Sequence, residues 1–159
     1  MKEVQELKAS LSKAVFDTME NMTFEEVEII DNEEEVVMST ENLIWSVLPL
    51  NKPYAGELVV RVSKDYGKAL AEEVLGLMAG EVSDETVTDI LAEIANTLAG
   101  RFMDNLVPSD EEFQLGLPRA ASGHPAEGQQ EVVSIPVKVG EHAMIVSVSG
   151  KDFVELVKN

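Results

Sequence analysis

The chain has 159 residues, with 12 Lys and Arg against 30 Asp and Glu and a formal net charge of −18. That excess opposes a nucleic-acid surface, which needs cations against phosphates, and it opposes docking on anionic membrane. The 45% apolar content fits a folded chain with a real core, expected as one domain over 1–159, and the lack of cysteine excludes disulfides, thiolate metal sites and cysteine nucleophiles.

The charge is uneven. Residues 1–41 hold 12 acids and 3 bases, half of the net excess in a quarter of the chain. Solubility is the default reading of that acidic quarter. Met1-Lys2-Glu3 leads directly into a charged helical pattern, so no secretory leader is expected. The longest run without Asp, Glu, Lys or Arg is the ten residues 42–51, short of the about 20 needed to cross a bilayer. A cytoplasmic location is expected.

Val4, Leu7, Leu11, Ala14, Val15, Thr18, Met19 and Met22 recur at three- and four-residue steps, which predicts an amphipathic helix over 3–22. Residues 25–30 and 35–38 read as short strands joined at Asp31-Asn32. Residues 42–49 are apolar around Trp45 and read as a buried strand, followed by a turn at Leu50-Asn51-Lys52-Pro53. In 57–63, Leu58, Val60 and Val62 alternate with Glu57, Val59 and Arg61.

Ser63 is placed to N-cap a helix over 64–78, with Gly80 as its stop. Ser83 is placed to cap a longer helix over 84–106, with Asp84 and Glu85 favoured by the helix dipole, Val82 and Val87 spaced as a staple, and Pro108 beyond its end. Residues 110–130 read as loop with at most one short strand, 113–117. Residues 131–139 and 141–149 form an expected hairpin about Gly140, with Pro136 marking an edge or bulge, and 152–158 a last short helix. Helices and strands come in blocks. The expected class is α+β: a mostly antiparallel sheet with two long helices and a third amphipathic helix packed on it.

Phosphate loops, H-E-x-x-H, G-x-S-x-G and EF-hand motifs are absent. One patch stands out on the 84–106 helix. At about 100° per residue, Asp89, Glu93, Asn96 and Gly100 share a stripe roughly 60° wide, opposite Val87, Leu91, Ile94, Leu98 and Phe102. A polar stripe is ordinarily just a solvated face. Asn and Gly are poor helix formers, however, and a face without a task would more often use Glu, Lys or Ala. Gly100 either leaves room for a partner's backbone or marks a kink.

Residues 89–100 resemble the signature of the CheC, CheX and FliY chemotaxis phosphatases: an acid or serine, three residues, Glu, two residues, Asn, and a distant proline. Asp89, Glu93 and Asn96 match in spacing, and Pro118 is the natural match for the proline, one residue short of the family's spacing. Trp45-Ser46-Val47-Leu48-Pro49-Leu50, Gly56-Glu57-Leu58-Val59-Val60 and the helix pair that follows extend the likeness over most of the chain. CheC-type members carry the Glu and Asn pair twice. Here Glu93 and Asn96 are the one pair so spaced, so the chain resembles the single-site CheX branch.

The resemblance implies hydrolysis of the aspartyl phosphate of a CheY-like response regulator, without a cofactor of this chain's own and with Mg²⁺ expected in the partner receiver. Asn96 is expected to orient the attacking water, since a carboxamide offers both acceptor and donors and stays neutral beside phosphoryl oxygens. Glu93 is expected to pair with the receiver's active-site lysine; a surface glutamate is a weak general base. Asp89 is expected at the docking rim, Met103 as an apolar contact, and Pro118 as a shaper of the adjacent loop. A homodimer is also implied, through a sheet edge such as 131–139. The alternative is a non-catalytic adaptor of the same fold that docks a receiver or a flagellar switch protein.

The remaining candidates have plainer readings. Glu33-Glu34-Glu35 reads as a solvated strand edge, His142 as structural, His124 as exposed loop, and Trp45 as core. No metal site is expected from two isolated histidines.

Overall fold

In the computed structural model, residues 2–30, 42–78, 80–123 and 128–158 are described. The helical periodicity near the start becomes α1 (Lys2–Thr23), whose Leu7, Leu11, Ala14, Val15 and Met19 are wholly buried. Short β1 (Val27–Ile29) follows. The expected strand 35–38, the turn at Asp31-Asn32, the acids Glu33 to Glu35 and His124 lie outside the described residues.

Next come β2 (Leu43–Lys52), β3 (Gly56–Ser63), α2 (Lys64–Leu75) and α3 (Asp84–Leu106), then β4 (Gln114–Leu115), β5 (Arg119–Ser122), β6 (Glu131–Val139), β7 (His142–Ser149) and α4 (Lys151–Lys158). The seven strands among the described residues form one antiparallel sheet in the order β1-β6-β7-β3-β2-β4, with β5 also paired to β2. The α+β class is as expected.

Register explains the strand patterns. Ile44, Val62 and Met144 align across β2, β3 and β7, as do Ser46, Val60 and Val146, and Leu48, Leu58 and Val148. Those rows join the core with α1, α2, α3 and α4. The alternate rows, including Val47, Val59 and Ser147, form the opposite face and are also largely buried. A strand covered on both sides reads as continuously apolar, as 42–49 does. Trp45 belongs to this second face, half-buried and outside the helix-side core, which corrects its expected place. It pairs in register with Arg61, and alternation forbids it from sharing a face with Ile44.

Three boundaries differ from expectation. The segment read as a turn from Leu50 remains strand to Lys52, because β4 pairs with it there. Helix α2 stops at Leu75, not at 78: Gly76 takes the left-handed conformation (φ 66°) and its N–H reaches the Glu72 carbonyl. The loop after α3 holds two short strands, and β5 forms because the open edge of β2 offers it a ladder.

Pro136 falls where β1 ends. The Ile30 N–H donates to the Pro136 carbonyl, but proline has no N–H to return, so that ladder stops. Hence β1 already covers the 137–139 end of β6, and among the described residues 131–135 is the uncovered part of that edge.

Leu98, wholly buried on the core side of α3, is expected to be a stability hot spot. Leu98→Ala should cost about 2–5 kcal/mol, read as a lower urea midpoint.

Candidate functional site

Helix α3 is defined by its ends. The Ser83 hydroxyl accepts from the Thr86 N–H, Asp84 and Glu85 occupy the first turn, and the Val107 N–H closes on the Met103 carbonyl just before Pro108. Between these caps the helix is continuous, with no break at Gly100. It packs against α1 on one flank, where the Asn105 amide donates to the Ser10 carbonyl at 3.2 Å, and against β2 beneath. α2 and β5 complete its surroundings.

The two faces separate as the periodicity requires. Val87, Leu91, Ile94, Leu98 and Phe102 are all 0% exposed. Asp89, Glu93 and Asn96 are exposed and Gly100 is partly so. Among the described residues, no hydrogen bond or ion pair engages the side chains of Asp89, Glu93 or Asn96. Glu93 and Asn96 stand one turn apart, with a carboxylate and a carboxamide both free to meet an incoming molecule.

This surface is a convex ridge. Four clefts among the described residues lie elsewhere, and neither Glu93 nor Asn96 lines any of them. A ridge cannot enclose a small substrate, so a partner must bring the concave half of any reaction site. No group of three His, Asp or Glu that could hold a metal ion occurs among the described residues.

The supporting residues divide. Pro118 is partly buried immediately before β5, the strand that packs beside α3, which keeps it on this flank of the molecule. Met103 is fully buried and offers no surface for docking, contrary to the expected apolar contact. It lies at the border of the stripe, where the apolar arc begins. Two exposed residues went unnoticed in the sequence. Asp104 extends the stripe one turn beyond Gly100, which i, i+4 spacing could have revealed, and Leu117, 87% exposed, precedes Pro118.

The family model described as chemotaxis phosphatase CheX matches residues 44–138, a span that includes the ridge and Pro118. The chain belongs to the CheX family. Solved structures share its fold. The chemotaxis protein CheX from Vibrio vulnificus is 16% identical and matches with a TM-score of 0.68 over 94% of this chain and 96% of its own. CheX from Borrelia burgdorferi, solved in a CheX–CheY–BeF3–Mg²⁺ complex, is 14% identical, with a TM-score of 0.67 over 89% and 95%. FliY from Thermotoga maritima is 10% identical, with a TM-score of 0.66 over 96% and 91%. No curated protein sequence matches this chain.

Gly100 has a distinctive position in this CheX fold. A Cβ there would meet nothing within 4 Å, so the glycine answers no packing need inside the chain. Gly100→Ala is expected to stabilise the protein by about 1 kcal/mol through helix propensity, measured by urea denaturation.

Proposed function

We propose that this CheX-family chain is a phosphatase that hydrolyses the aspartyl phosphate of a CheY-like receiver domain. The observation that carries the reading is the Glu93 and Asn96 pair, exposed and unpartnered among the described residues on the ridge of α3. Two further features support it: the family assignment and the CheY complex of the Borrelia relative.

An acyl phosphate is already reactive. The receiver supplies the concave pocket and the Mg²⁺, and this chain adds alignment. The water oxygen bonds to phosphorus while the bond from phosphorus to the aspartyl oxygen breaks. The carboxylate is regenerated, and inorganic phosphate leaves with the water's protons. The Asn96 carboxamide oxygen accepts a proton of that water to hold it in line, and its NH₂ donates to a phosphoryl oxygen. Glu93 pairs with the receiver's active-site lysine and fixes the docked orientation by a charge-assisted hydrogen bond. Asp89 lies at the rim. The open space above Gly100 admits the partner's backbone.

Decay of a phosphorylated CheY-like receiver, with and without the protein, is the direct test. Asn96→Ala is expected to lower the acceleration by about a hundredfold or more while leaving the fold intact. Glu93→Ala should weaken binding about tenfold as well as slow the reaction. A wild-type protein that binds the receiver without speeding decay would instead establish the adaptor reading.

A homodimer formed through the β6 edge would use its 131–135 part, since β1 takes the rest. A dimer is expected in sedimentation equilibrium, and a charge reversal or proline confined to 131–135 is expected to shift it to monomer.

A further inference from the structure

A concave feature lies away from the α3 ridge, between the segment after α1, one side of α2 and the β6–β7 turn. It is a cleft of about 410 Å³ whose polar lining includes Glu25, Tyr66, Glu73, Glu141 and His142. Tyr66 is only 2% exposed, and its buried hydroxyl has no hydrogen-bond partner among the described residues. A phenol so placed is costly unless something visits it. Its ring stacks on the His142 imidazole, with centroids 4.7 Å apart and planes at 11°. His142 is therefore an exposed wall of this cleft, whose role the strand pattern alone did not show.

The carboxylates are positioned by the backbone. Gly140 turns with φ 60°, and a Cβ there would come within 2.8 Å of the Glu25 carboxylate, which lies against the turn. The Gly140 N–H donates to the Glu26 carbonyl, tying the two segments together. Burial, then the charge of Glu25, holds the Glu73 carboxyl above its ordinary range, while His142 pulls it back. Burial followed by the charges of Glu73 and Glu25 likewise raises the Tyr66 phenol. The phenol and both carboxylates thus share one electrostatic neighbourhood, and among the described residues no Lys or Arg lines it.

Three carboxylates face one imidazole, so the cleft favours a cation. They do not converge tightly enough to hold a metal ion. The ligand must therefore be wide, positively charged and rich in donors, because the carboxylates only accept and the phenol oxygen can accept as well. We propose that this cleft binds a guanidinium group, whose planar fork bridges Glu25 and Glu73 and donates a further N–H to the Tyr66 hydroxyl. A guanidinium presents five N–H donors in a fixed plane and also stacks on aromatic rings, whereas an ammonium concentrates its three donors at one point.

The intact protein is titrated with methylguanidinium and followed by amide chemical shifts. Saturable shifts are expected at Tyr66, Glu73 and residues 140–142, and none with urea, which has a similar shape without the charge. Glu73→Gln, at an exposed position that folding does not depend on, should weaken binding about tenfold. Tyr66→Phe keeps the stacked ring and should weaken it by a smaller factor. A short peptide with a central arginine that binds more tightly than methylguanidinium indicates a protein partner; equal affinity indicates a free small molecule. Equal responses to urea, affinity unaltered by Glu73→Gln, or no saturable shift below the onset of denaturation would overturn the proposal.

Discussion

The division of α3 into a fully packed face and a fully open one is the constraint on which the rest of the molecule depends. Its apolar side is held by α1, α2 and the sheet, and six large side chains of the helix, Met103 included, are completely buried. Burying each such side chain contributes roughly 1.5–3 kcal/mol. The opposite side is left with little structural duty. The side chains of Asp89, Glu93 and Asn96 make no hydrogen bond or ion pair among the described residues, so their polar groups are open to whatever arrives from outside.

The sheet gives α3 a stable bed, and its central rows are buried on both faces. The rows containing Val60 and Leu58 face the helices, and the rows containing Val59 and Val47 are buried on the other side. Its ends are managed differently. On one side β4 and β5 share the long edge of β2. On the other, Pro136 stops the β1 ladder after a few residues, leaving part of β6 uncovered among the described residues. Aromatic packing of Phe153 against Phe102 and Tyr54 ties α4 to the same core.

Much of this was legible because it is local. The i, i+3 and i, i+4 pattern marks α1 and α3, the serines at 63 and 83 mark the starts of α2 and α3, and alternation marks β3 and β7. The candidate catalytic pair was readable for the same reason: both members sit one turn apart on one helix. Features that depend on distant neighbours were not. Arg119-Ala120-Ala121-Ser122 has little strand propensity and is strand only because β2 waits beside it. Leu77 and Met78 look like a continuing apolar helix, yet the left-handed turn at Gly76 ends it first. Trp45 looked like core because bulk and hydrophobicity do not reveal which side of a two-sided sheet a residue faces. The acidic cleft escaped altogether, since Glu25, Tyr66 and His142 meet only in the folded chain.

A ridge stiffened from beneath behaves as a tenon. It cannot mould itself to its partner, because any displacement of Glu93 or Asn96 would have to drag Ile94 and Leu98 through close-packed neighbours. On the proposed function, whatever adjustment docking requires must then come from the receiver's side.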